Sequence, residues 1–186
     1  MFKVDVDDMK VFFGIESNVP LEEINGMGVS FSFELMNWFS KDPQQGKDRS
    51  SQLMAFFKEL KGVGAEFGYR TASEMVELMN RLDDLGMDAN QMEDSLDVAV
   101  MQKLLPKLHG SRSKLSKIIP ILVSLCLDVK EHANQDLIKK LLDDYRQQKS
   151  FVEDQKRIIK LKLSAAKLAR MRTNAIENGF ASFAEG

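Results

Sequence analysis

From Leu96 to Leu108 an apolar residue returns at every fourth position (Leu96, Val100, Leu104, Leu108), and Val98, Met101 and Leu105 widen the stripe. That period belongs to an α-helix with one buried face. Pro106 lies inside the stripe. Having no N–H, it is expected to kink or end the helix there. Helical spacing recurs along the chain. Thr71-Ala72-Ser73-Glu74 has the spacing of a capping box and opens a helix carrying Met75, Val76, Leu78, Met79 and Leu82. Ser50 or Ser51 is placed to cap a helix with Leu53, Met54, Phe56, Phe57 and Leu60 on one side, ended by Gly62 and Gly64. Ser113 to Leu127 is a further helix, with Pro120 as a break or restart, and Asp136 to Tyr145 a shorter one. Ser164 is read as the N-cap of a last helix with Leu168, Met171 and Ile176 on its apolar face, stopped at Asn178-Gly179. Ile159 to Leu163 alternates apolar and basic residues, the pattern of an extended run.

The first forty residues are less regular. Phe2 to Val6 alternates as a short strand would, Asp7-Asp8 precede a short helix with Met9, Val11, Phe12 and Phe13, and fragments at Leu21–Ile24 and Phe33–Phe39 have helical character. Loops are expected at 42–48 and 85–90, and a connector at 128–134. The fold class that follows is all-α, a helical bundle. We divide it into a helical domain over residues 1–127 and a basic helical extension over 128–186 that packs on it.

A chain of 186 residues can bury a core without disulfides or metals. The single cysteine, Cys126, lies in the apolar run from Ile118 to Leu127. It allows no disulfide within one chain and reads as a small buried hydrophobe. No apolar run approaches the roughly 18 residues of a membrane span, and the N-terminus lacks a signal peptide's apolar middle. The expected location is a reducing cytoplasm, with no membrane partner. Charge divides the chain. Residues 1–100 hold 19 acids and 9 bases, whereas residues 101–186 hold 17 bases and 9 acids. Either the halves face one another or the basic end meets an acidic partner.

Three stretches carry a resemblance. Phe67-Gly68-Tyr69-Arg70 precedes a helix. Asp97-Val98-Ala99-Val100-Met101 runs into Gln102-Lys103-Leu104-Leu105-Pro106-Lys107-Leu108-His109-Gly110-Ser111-Arg112. Ser164-Ala165-Ala166-Lys167-Leu168-Ala169-Arg170-Met171 leads to Asn178-Gly179-Phe180-Ala181-Ser182-Phe183-Ala184-Glu185. In this order they resemble the helical lid and C-terminus that follow the nucleotide-binding core of McrB-like AAA+ NTPases. The resemblance covers about residues 67–185. It implies that Arg70 is the arginine of the lid that reaches the nucleotide phosphates, a task suited to a planar, permanently charged fork beside a helix N-terminus. The alternative for Arg70 is solvation or a pair with Glu74 or Glu77. Lys107, His109, Ser111 and Arg112 are candidates for an anion or subunit contact, although His109 can equally end a helix with Gly110 as its left-handed residue.

The chain departs from a complete motor. It has no phosphate-binding loop, and neither Asp7-Asp8 nor Asp83-Asp84 follows a strand that would make it a Walker-B acid. It is therefore expected not to be an enzyme alone and to need no cofactor itself. The resemblance implies a parent that uses GTP or ATP with Mg²⁺, forms a homo-oligomeric ring of AAA+ cores, works with a McrC-like nuclease partner and acts on DNA indirectly, in restriction or antiphage defence. The rival reading is a free-standing helical binding protein for nucleic acid or an acidic protein. It rests on Lys139 to Arg172, where eleven bases stand against four acids. No metal-ligand spacing is present, since His132 alone could join His109.

Overall fold

The computed structural model describes residues 9–10, 43–85, 95–128 and 134–185. Among them are seven α-helices and one two-stranded sheet, so the all-α expectation holds. The readings at 2–6, 21–24 and 33–39 fall outside these residues, as do most of those at 85–90 and 128–134. Of the early helix only Met9 and Lys10 are described; both are helical and Met9 is fully buried.

Helix α1 spans Pro43–Gly62 and starts well before Ser50 and Ser51. The stretch 43–48, read as loop, is helical. Proline suits the first position of a helix, where its fixed φ fits and its missing N–H is not needed. Gly46 inside the helix costs only about 1 kcal/mol relative to alanine. Ser50 is buried within the helix and Ser51 is exposed on it. Leu53, Met54, Phe56, Phe57 and Leu60 are buried as the spacing required. Gly64, with φ 67°, turns the chain out of the helix. Phe67 then returns to meet Phe57 edge-to-face, with ring centroids 5.2 Å apart.

Helix α2, Tyr69–Asp84, buries Ala72, Met75, Val76 and Met79. Arg49 of α1 is buried and forms an ion pair with Asp83 near the far end of α2. The Leu96–Leu108 stripe is one helical run of changing pitch. It passes from α3 (Ser95–Ala99) through a π-helical turn (Val100–Leu104) and a 3-10 turn (Leu105–Lys107). The wide turn closes where the Leu105 N–H reaches the Val100 carbonyl. The run stops just after Pro106, and Leu108 is extended. Leu96, Val100, Leu104, Leu105 and Leu108 are all fully buried.

His109 forms no helix cap. His109–Ser111 is strand β1, paired antiparallel with β2, Phe180–Ser182. Helix α4, Arg112–Leu125, follows directly and is capped by Ser111, whose Oγ accepts the Lys114 N–H at 3.4 Å. Pro120 lies within α4 and neither breaks nor restarts it. The carbonyl it leaves unpaired belongs to Ser116, an exposed residue that water can reach.

Helix α5, Gln135–Gln148, is capped by the Asn134 side chain and is longer than the spacing suggested. Helix α6 is Glu153–Ile158. The chain then pairs back on the end of α4: Leu127 bridges Ile159, and the Cys126 carbonyl accepts from both Lys160 and Leu161. Of the expected extended run only Ile159 is extended; Lys160 and Leu161 form a bend and the rest is helical. Helix α7, Lys162–Asn178, begins before Ser164, so Ser164 is not its N-cap. α7 is the hub of the fold, packing against α3, α4, α5 and β2. It ends at Gly179, φ 77°, where the sequence placed its stop. A single hydrophobic core runs from Met9 to Ala181, continuous across residue 127.

Candidate functional site at the start of α2

Four charged side chains and a hydroxyl converge on the first turn of α2. The helix opens at Tyr69 after Gly68, which is extended and offers no side-chain cap. The expected capping box is absent because the helix starts ahead of Thr71, which leaves Thr71 and Glu74 inside it. Both side chains turn to other partners. Lys107 Nζ donates to Thr71 Oγ1 at 3.0 Å. Lys103 Nζ donates to Glu74 Oε2 at 3.1 Å, and Arg70 Nε donates to Glu74 Oε1 at 3.0 Å. Lys103 lies in the π-helical turn and Lys107 in the 3-10 turn, so the change of pitch before Pro106 sets both ammonium groups against α2.

Two cations, Lys103 and Arg70, hold the one carboxylate, and a third, Lys107, rests on the Thr71 hydroxyl. The bond from Lys103, then that from Arg70, hold the Glu74 carboxyl below its ordinary value. The group keeps an excess of two positive charges. The unsatisfied N–H groups and partial positive charge of a helix start add to this excess. The Arg70 side chain is 92% exposed. A guanidinium has five N–H donors, and one is directed at Glu74. The arrangement is suited to contacting an anion on another molecule. Among the described residues no group of His, Cys, Asp and Glu is placed to hold a metal ion.

Of the candidate residues, the structure brings Arg70 and Lys107 together and sets the others apart. His109 and Ser111 lie on the ribbon β1–β2, and the Arg112 N–H donates to the Gly179 carbonyl at 2.8 Å at the start of α4. Arg70 has the Glu74 partner that was its alternative reading, but it shares that partner with Lys103, which sequence reasoning missed. The signal was available, since Lys103 and Lys107 stand four residues apart on the helical run.

A second polar site escaped the sequence reading. Asp97, 1% exposed, accepts the N–H groups of Leu163 and Ser164 at 2.7 and 2.9 Å, while Ser164 Oγ donates to the Asp97 carbonyl at 3.2 Å. Asp97 thus caps α7 from another helix. Cys126 lies close by, with its thiol donating to the Leu122 carbonyl at 3.3 Å. Burial, and secondarily the charge of Asp97, pushes this thiol well above its ordinary range and disfavours the thiolate.

The model of the family described as "Domain of unknown function (DUF8727)" matches residues 26–180, and the chain belongs to that family. Neither the comparison with curated proteins nor that with solved structures gives a match. No helix among the described residues is long and apolar enough to cross a membrane.

Proposed function

We propose that this member of a family of unknown function is the helical lid and tail of a McrB-like AAA+ motor, serving a separate core that holds GTP or ATP with Mg²⁺. The chain hydrolyses nothing alone. Its part is to close on nucleotide held by the core, present Arg70 to the phosphates and carry the state of the nucleotide to the next subunit of the ring. One observation carries the reading: the three separated stretches on which the resemblance rests form one unit. The helix that the first stretch opens joins the second through Lys107–Thr71 and through Glu74, which Arg70 and Lys103 share, and the second joins the third through Asp97–Ser164 and the β1–β2 pairing.

The rival reading through Lys139 to Arg172 loses ground because many of those bases are engaged. Lys149, Lys156, Arg157, Lys160 and Arg172 form ion pairs with Glu177, Glu153, Asp154, Asp128 and Asp143, and Lys167 is buried with its ammonium 4.2 Å from the Phe183 ring centroid.

The test begins with the coding DNA upstream of and beside the gene. The reading expects an in-frame or neighbouring core with a phosphate-binding loop and Walker-B acid. Joined with this chain, that core should hydrolyse GTP or ATP, and Arg70→Ala should cut the rate at least tenfold. A genome with no such core nearby, or hydrolysis indifferent to both the chain and Arg70→Ala, overturns it.

A further inference from the structure

From Val98 to Leu127 the sequence contains no Asp or Glu, yet it holds Lys103, Lys107, Arg112, Lys114 and Lys117. Three of these five cations fall in the first two turns of α4. This is the end of a helix where positive charge opposes the dipole and acids are favoured. Such a placement works against helix stability. Among the described residues, Arg112, Lys114 and Lys117 have no ion-pair partner to offset it. Arg112 and Lys117 are exposed, and the Lys114 stem lies over Gly110, where an added Cβ would meet its Cδ at 3.0 Å.

The ribbon beside this helix start has two unlike faces. Successive residues of a strand point to opposite sides. The registered pair Gly110–Ala181 turns inward, with Ala181 fully buried. His109, Ser111, Phe180 and Ser182 therefore share the outer face. Phe180 stands opposite Ser111, diagonal to His109, and is 46% exposed. A phenylalanine ring at the end of a two-stranded sheet with nearly half of its surface in water is only partly used by the core. Two flat rings on one face, with uncompensated cations beginning at the next residue of the chain, match what a single-stranded polynucleotide requires: π-faces for unpaired bases and positive charge for the backbone.

We infer that the outer face of β1–β2, with the exposed start of α4, binds single-stranded nucleic acid, Phe180 and His109 stacking on bases while Arg112 and Lys117 meet phosphates. An acidic protein segment would use the cations but not the rings, and a duplex keeps its bases stacked away from them. The surface is independent of Arg70, and its test involves neither nucleotide nor a motor core.

The test is fluorescence anisotropy of the full chain with labelled single-stranded 20-mers of RNA and of DNA, over a salt series. Binding should weaken as salt rises. Phe180→Ala should weaken it about tenfold and Phe180→Tyr should restore it, in line with the cost of losing one stacked base. The Arg112→Ala/Lys117→Ala pair, both exposed positions, should lower the salt slope by about 1.4, at about 0.7 per phosphate contact on a single strand. Lys139→Ala/Lys140→Ala removes equal charge from the exposed side of α5 and should leave the slope nearly unchanged. Comparison of the two 20-mers shows whether the 2′-hydroxyl contributes. No binding at low salt, equal affinity for duplex, competition by polyglutamate with Phe180→Ala silent, or equal effects of the two charge pairs would each overturn the inference.

Discussion

Removal of the Asp97 carboxylate should be among the most damaging single changes available in this fold. The side chain is 1% exposed and accepts two backbone N–H groups at 2.7 and 2.9 Å, both in the first turn of α7. A hydrogen bond to a charged group contributes ~1.5–3 kcal/mol, and a buried donor left unmade costs a comparable amount. A negative charge at a partly buried helix start adds up to ~2 kcal/mol. These terms overlap, so Asp97→Ala should cost about 3–5 kcal/mol rather than their sum. Asp97→Asn keeps one acceptor oxygen but turns an amide donor toward the second N–H, and should cost less, about 1–3 kcal/mol. For a chain of this size each kcal/mol lowers Tm by about 2–4 °C, so alanine should lower it by roughly 6–20 °C. Urea unfolding followed by circular dichroism would measure both variants. The reasoning fails if alanine costs less than about 1 kcal/mol, or if asparagine costs as much as alanine. Either result would mean that the charged cap is not what holds α7.

Three further outcomes follow from the same geometry. The Glu74 carboxyl, held low mainly by Lys103, should titrate closer to its ordinary value in Lys103→Ala, with a smaller rise in Arg70→Ala; carbon-detected NMR of the side-chain carboxyl reads both. Its folded value is depressed, so whatever stability it contributes is present above pH 4.5 and is lost as pH falls through the folded value. Cys126 should resist an aromatic disulfide reagent in the native protein at pH 8 and react fully in denaturant; fast native labelling would contradict its burial. Pro120→Ala should stabilise the chain by about 1–3 kcal/mol, because an interior proline costs a helix about 3 kcal/mol and α4 runs through it unbroken; a loss of stability would show that the ring's packing outweighs the missing N–H.

The parts of the fold that sequence showed are those governed by local periodicity. Met75, Val76 and Met79, or Leu168 and Met171, recur at helical spacing because one face is buried, and Gly62, Gly64 and Gly179 mark ends because the chain turns there. The parts it concealed depend on partners far along the chain. Asp97 reads as an ordinary helix acid until Leu163 and Ser164 arrive 66 and 67 residues later. His109–Ser111 is three residues long, too short for an alternating pattern, and becomes a strand because Phe180–Ser182 lies beside it. Ser164 shows how the two kinds of information compete. Its type and position suit a cap, but an external carboxylate supplies the acceptor, so the helix starts earlier. In the candidate site Arg70 and Lys107 are singled out by residue type alone, whereas the Lys103–Glu74 link needed the packing of the π-helical turn on α2.

The division of charge between the halves takes a form that counting charges does not suggest. Lys103–Glu74 joins the acidic half to the basic one, but many basic residues find acids within their own half: Lys149 with Glu177, Lys160 with Asp128, Arg172 with Asp143. The deepest polar link between halves is instead Asp97 of the first on the helix start of α7 in the second, a charge meeting a dipole. The positive surplus of the second half is not all used up in holding the halves together. It stays in part at the surface, on Arg112, Lys117, Lys139, Lys140 and Arg146, all exposed and without ion-pair partners among the described residues. The stability of the fold and the polyanion contact therefore draw on different charges. Neutralising Arg112 and Lys117 should leave Tm within about 2 °C of the wild type, as expected for exposed substitutions, while reducing nucleic-acid binding. A large fall in Tm for that variant would mean that these cations serve the fold after all.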